Sequence, residues 1–244
     1  MRLSVHGDGR VDQWNKYFYK PKTTYKLVFG GAFAGTAVVT GSSPTEECIR
    51  NLARIDLSST RAKLKGKVMA IATDLLVPRS GAGLRRRPTA TERSAVEDLV
   101  KKELATQKVP VAGTRNLKYH NLTAVDIDND GTVELIGSFW APISATERAL
   151  LFVVAEKGDK EGYVLSYKDL KDVKESDTMS GDISNVDDGV YNELLLDILD
   201  VDGDGKSEIF TYSQSFEGAG FNVYSKKDRS WVKVFEGWNY HCGY

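Results

Sequence analysis

Four carboxylates recur with the same spacing at two places in the chain, Asp126-x-Asp128-x-Asp130-Gly131-x-x-Glu134 and Asp200-x-Asp202-x-Asp204-Gly205-x-x-Glu208. Carboxylates crowded this closely repel unless a cation or a proton relieves them. A tight turn, with glycine supplying the backbone freedom, folds each segment around one point. That point suits a hard divalent cation. Calcium takes about 6 to 8 oxygens, and Asp126, Asp128, Asp130 and Glu134 approach that number with the Thr132 carbonyl and a water. The second loop offers Asp200, Asp202, Asp204, Glu208 and the Lys206 carbonyl. Magnesium prefers a tighter octahedron, and zinc seeks His or Cys, neither of which lies in these loops. The expected cofactor is therefore calcium, two ions in all. Asp/Gly-rich turns also form without metal, because Asp side chains cap nearby backbone amides; recurrence at corresponding positions favours the ion.

The elements that would position these loops repeat with them. Residues 124–138 align without a gap on 198–212, an offset of 74 residues. Val125/Leu199, Ile127/Val201 and Leu135/Ile209 keep their apolar character, which points to an internal duplication. An EF-hand or dockerin loop would need a bidentate Glu at position 12 and flanking helices. Position 12 is Gly137 in one copy and Thr211 in the other, and the segments that follow read as strands. In the first copy the strands are expected over Glu134 to Trp140, Leu150 to Glu156 and Tyr163 to Tyr167. In the second they fall over Glu208 to Gln214, Phe221 to Ser225 and Trp231 to Phe235. Each copy thus supplies about four antiparallel strands, the size of one propeller blade. Two blades cannot close a ring.

The pattern Asp-h-Asp-x-Asp-Gly-x-x-Glu before a strand resembles the calcium loop of FG-GAP/VCBS-type repeats, as in integrin-like propellers. That resemblance implies calcium at both loops, stabilisation of the blade, and extracellular display for adhesion or ligand binding. Phe29-Gly30-Gly31-Ala32 is only superficially like the family's name motif and carries no weight.

Upstream, residues 25–40 read as one or two strands around a turn. Ser43-Pro44-Thr45-Glu46 is a capping box expected to open a short helix towards Ile55, with Cys48, Ile49, Leu52 and Ile55 on its apolar side. Val68 to Ala72 suits a buried strand. Residues 77–90, with two Pro, two Gly and the Arg85-Arg86-Arg87 run, read as an exposed, mobile loop whose charges are solvated. A second capping box, Thr89 and Glu92, opens a helix with Val96, Leu99, Val100 and Leu104 at helical spacing. The expected fold is α+β, mainly β. Antiparallel blade-like meander repeats form an open curved sheet, with about two helices in the N-terminal half. The expected division is a β-rich lobe over 1–80, a connector over 81–116, and two calcium-loop repeats over 117–244, at 117–180 and 190–240.

Composition excludes several functions. With 33 Lys plus Arg against 34 Asp plus Glu, the net charge of -1 gives no attraction to nucleic acid or an anionic membrane. Leu27 to Val39 is too short for a membrane span, which needs about 20 apolar residues, and Met1 to Arg10 has no signal-like apolar region. Cys48 and Cys242 permit one disulfide, although Cys48 reads as a buried free thiol. His6, His120 and His241 lie in no catalytic or metal motif, and His120 reads as an ordinary hydrogen-bonded side chain. The functional expectation is a non-enzymatic, calcium-stabilised module, secreted or periplasmic, whose partner is a protein or glycan. The competing expectations are a hydrolase with a calcium loop beside its active-site cleft, and an intracellular interaction protein whose loops bind no ion.

Overall fold

The computed structural model describes residues 15–42, 52–59, 69–77, 85–158, 162–228 and 230–240. Among these the chain is mainly β, with three antiparallel four-stranded sheets and no closed barrel. Sheet I holds β1 (Thr24–Phe29), β2 (Ala32–Ser42), β3 (Ala53–Ser59) and β4 (Ile71–Thr73) in the order β3-β2-β1-β4. Sheet II is a simple meander of β5 (Lys118–Val125), β6 (Glu134–Ser144), β7 (Glu147–Lys157) and β8 (Tyr163–Lys174). Sheet III repeats that meander with β9 (Glu193–Leu199), β10 (Glu208–Ser215), β11 (Gly218–Lys227) and β12 (Ser230–Tyr240). The helices α1 (Ala90–Thr106) and α2 (Val111–Arg115) precede sheet II, and α3 (Ser184–Asp187) lies between sheets II and III.

Sheet II is the centre of the packing, which explains why β6 and β7 are apolar on both faces. Successive side chains of a strand point to opposite faces. Leu135, Phe139, Leu151 and Val153 therefore meet Val96, Val100 and Leu104 of α1, while Ile136, Phe152 and Val154 meet Leu195, Ile198, Ile209 and Tyr224 of sheet III. The α1 start is the capping box expected: Thr89 Oγ1 accepts the Glu92 amide at 3.2 Å, and Glu92 Oε2 accepts the Thr89 amide at 2.7 Å. Gly113 on α2 is dictated by close approach, since a Cβ there would lie 2.2 Å from the Pro142 carbonyl oxygen.

Two expectations need correction. The helix towards Ile55 gives way to a strand where it can be followed, because β3 pairs with β2 through Val39↔Ile55 and Ala37↔Leu57. Ile55 and Leu57 are both exposed, so they form no buried helical face. At Ile55 strand pairing has prevailed over the helical spacing, as tertiary context often does over local propensity; the capping box and the rest of residues 43–51, Cys48 among them, lie outside the described residues, as does Cys242. The second correction concerns the arginine run. Arg86 exchanges both backbone hydrogen bonds with Ala124 at 2.9 Å, extending the edge of sheet II, and the Arg85 side chain is only 16% exposed.

The β1–β2 turn is the other point where sequence and packing meet. Gly30 and Gly31 sit at φ 66° and 71°, as a two-residue hairpin turn with both central residues at positive φ requires. This turn docks on β9: the Gly30 amide donates to both carboxylate oxygens of Asp197, at 2.9 and 3.0 Å.

Candidate metal centre

Both acidic loops are hairpin connectors, and both are folded by the same hydrogen bonds. Each begins just after a strand and ends on the first residue of the next, with Val125 paired to Glu134 and Leu199 to Glu208. Glu134 Oε2 accepts the Ile127 amide at 2.8 Å, and Glu208 Oε2 accepts the Val201 amide at 3.0 Å. Asp126 Oδ2 accepts the Gly131 amide at 3.0 Å, as Asp200 Oδ2 does that of Gly205 at 3.0 Å. Asp130 Oδ1 caps the Thr132 amide at 2.6 Å, matched by Asp204 and Lys206 at 2.8 Å. Backbone conformation repeats too: Asn129 and Gly203 sit at φ 63° and 80°, Gly131 and Gly205 at 86° and 88°. A Cβ at either Gly131 or Gly205 would meet nothing within 4 Å, so left-handed backbone rather than crowding selects glycine there.

The carboxylates converge, though not all of them. In the first loop oxygens of Asp126, Asp128 and Asp130 lie within 4.8 Å of one another; in the second the converging set is Asp200, Asp202 and Glu208. Glu134 and Asp204 fall outside those tight groups and serve the loop backbone instead. Thr132 and Lys206 are held through their amides by the aspartates two residues earlier.

The loops differ in burial. Asp126 and Glu134 are 8% and 6% exposed, whereas Asp202 and Asp204 lie open to solvent. Burial pushes the Glu134 carboxyl up to about 8 against the pull of the Ile127 amide, and neighbouring Asp128, Glu156 and Asp126 add to the rise. The Glu208 carboxyl is also raised, first by burial. Asp126 Oδ1 and Asp128 Oδ1 are buried without any hydrogen-bond donor. A carboxylate oxygen withdrawn from water and left unpaired is strongly disfavoured; this group of carboxylates could hold a metal ion as the missing partner.

The two loops also touch each other. The Ser207 amide donates to the Ile127 carbonyl at 3.0 Å, and Asn129 Nδ2 donates to the Gly205 carbonyl at a longer 3.4 Å. Nearby, Glu156 of sheet II accepts from Trp231 Nε1 at 2.7 Å and Lys226 Nζ at 2.9 Å, both of sheet III.

Two buried acids that belong to no recognisable motif stabilise the frame. Glu193 Oε1 accepts from Thr211 Oγ1 at 2.5 Å, Tyr224 OH at 2.7 Å and Asn222 Nδ2 at 2.9 Å, and Lys171 Nζ stands 4.0 Å from Oε2 as counter-charge. Asp197 receives Gly30 and Ile198 amides and faces Arg85 at 3.7 Å. Its only sequence signal is an acidic residue inside the apolar run Leu194-Leu195-Leu196-Asp197-Ile198-Leu199.

Burial carries the Asp197 carboxyl from 3.8 up to about 6, despite Arg85 and the amides pulling it down. A carboxyl with a raised folded-state pKa binds its proton more tightly in the folded chain, so stability should increase as pH falls from above 6 towards 4. The difference of about two pH units, at about 1.4 kcal/mol each, corresponds to about 3 kcal/mol. Unfolding free energies measured between pH 4 and 7 in chelator should show this slope in the parent and a flatter one in Asp197→Asn. Equal slopes would remove Asp197 as its source.

His120 Nε2 lies 3.2 Å from the Val186 carbonyl, and its ring stacks on Trp140 at 6.1 Å. One cavity is lined by Ser138, Phe152, Asp169, Lys171, Tyr191 and Glu193, with Leu150 and Leu151; another is lined by Tyr17, Phe18, Thr23, Tyr25 and Asp74. Neither includes His120 or a loop residue. Among the described residues no helix is long and apolar enough to cross a membrane. Comparison of the chain with protein-family models, with curated proteins and with solved structures finds no match in any of the three.

Proposed function

We propose that this chain is a calcium-stabilised binding module in which Asp126 to Glu134 and Asp200 to Glu208 each hold one calcium ion, and that the ions have a structural task. The observation that carries this reading is the pair of buried, donorless oxygens on Asp126 and Asp128, in the loop where the carboxylates of Asp126, Asp128 and Asp130 come together. A bound ion would offset much of each loop's negative charge, fix the hairpin it joins and, through the interloop bonds, hold sheets II and III together. Calcium is the hard cation that tolerates such an irregular oxygen set. Millimolar extracellular calcium would fill even weak sites of this kind, which is why we assign the module to a secreted or periplasmic setting with a protein or glycan partner.

Calcium titration by calorimetry on chelator-stripped protein tests the reading, paired with thermal melts. Two ions should bind, and stability should rise by about 2.7 kcal/mol per site when free calcium is a hundredfold above Kd. Asp128→Ala or Asp202→Ala should each remove one ion and lower the melting temperature only in calcium. Neither heat nor a melting shift in the parent, or equal destabilisation in chelator, would return both loops to plain acidic turns.

A further inference from the structure

We infer that the two loops form one coupled unit in which an ion in the buried loop raises the affinity of the exposed loop, and the reverse; this rests on the calcium reading above. Ile127 is the link. It lies between Asp126 and Asp128, its amide is held by Glu134, and its side chain is 3% exposed in the core shared with Ile198 and Ile209. Its carbonyl accepts the amide of Ser207, the residue immediately before Glu208. The donor of that bond therefore adjoins a member of the second carboxylate group, and the acceptor adjoins two members of the first. Asn129 makes the second link, from the tip of one loop to the glycine turn of the other.

Ordering either loop around an ion fixes a residue on which the other loop depends. The second ion then binds a loop already partly ordered and loses less conformational freedom. The asymmetry of burial sets the sequence of filling. The first loop holds the donorless oxygens and gains most from a cation, whereas Asp202 and Asp204 already face water. By linkage the coupling factor is the same in both directions.

The test compares calcium affinities in the full chain. Asp128→Ala leaves only the second loop and Asp202→Ala only the first. The product of the two dissociation constants in the parent should be about tenfold or more smaller than the product of the single-loop values, within the usual span of coupled sites. Asn129→Gly is the gentler variant. It keeps every carboxylate, suits the positive φ at that position and installs the residue type found at the equivalent Gly203. It should still bind two ions, with weaker cooperativity. If the single-loop products equal the parent product within about twofold, and Asn129→Gly binds as the parent does, the coupling is overturned while calcium binding stands. Absence of binding to the parent would take down the calcium reading and the coupling together.

Discussion

Replacing Arg85 with alanine should destabilise the fold by about 3–5 kcal/mol, the usual consequence of leaving a buried charge without its partner. The Asp197 side chain is 1% exposed, and Arg85 is the cation facing it, at 3.7 Å. Arg85 also donates to the Leu196 carbonyl at 2.7 Å and lies over the Phe29 ring at 4.9 Å. One guanidinium thus joins the segment before α1, the turn of sheet I and the first strand of sheet III. Arg85→Ala would leave Asp197 with amide donors alone and deprive the Leu196 carbonyl of this donor. Arg85→Lys should fall between, since a lysine restores charge but not the flat fork that lies on Phe29. Pairing Arg85→Ala with Asp197→Asn should recover part of the loss, because the charge left stranded is then gone. Urea unfolding in calcium and in chelator measures all three. A loss below about 1 kcal/mol for Arg85→Ala would mean that the pair only balances its own desolvation.

The contrast between these residues and the acidic loops shows what a sequence discloses. The hairpin conformation of Asp126 to Glu134 and of Asp200 to Glu208 was legible because the hydrogen bonds within each loop span at most seven positions. Helix α1 was legible for the same reason, its cap and its apolar stripe being written in consecutive turns. Arg85 looked like part of a solvated run because its partners, Leu196 and Asp197, lie more than a hundred positions away. Gly30 and Asp197 are separated by 167 positions, so the role of the Gly-Gly turn had no local signature beyond its conformation. At Ile55 the expected helical end was overridden: pairing with Val39 made a strand. Short-range chemistry is readable from spacing, while the contacts that dock one sheet on another are not.

The pairing of sheets II and III would give an ion at either loop a mechanical role. The cluster that joins them includes Val125 and Ile127 at one loop and Ile198 and Ile209 at the strand ends beside the other. An ion at either loop would act at the rim of this apolar interface, close to where Glu156 receives Trp231 and Lys226. Apolar burial is non-directional. The directional contacts at the rim fix the register in which the two sheets meet.

At the opposite end of β9 the same interface is held by Glu193, and Glu193→Ala should therefore cost about 3–5 kcal/mol, through lost hydrogen bonds, whether calcium is present or not. One oxygen of Glu193 takes donors from Thr211, Asn222 and Tyr224, on two neighbouring strands of sheet III. Tyr224 in turn packs its ring on Tyr167 of sheet II at 4.9 Å and on Phe152 at 5.9 Å. Burial first, and then the Glu193 carboxylate, raise the Tyr224 hydroxyl above its ordinary value and keep it a donor. Alanine would remove the acceptor shared by three buried polar groups and open a hole beside them, each lost bond worth up to about 1–3 kcal/mol before relaxation. Glu193→Gln keeps an oxygen for the three donors and removes the charge opposite Lys171, so it should lose distinctly less. Denaturant unfolding of both variants, with and without calcium, separates this network from the loops. An effect of Glu193→Ala that vanished in chelator would instead tie Glu193 to the metal sites, and the two ends of the interface would have to be treated as one.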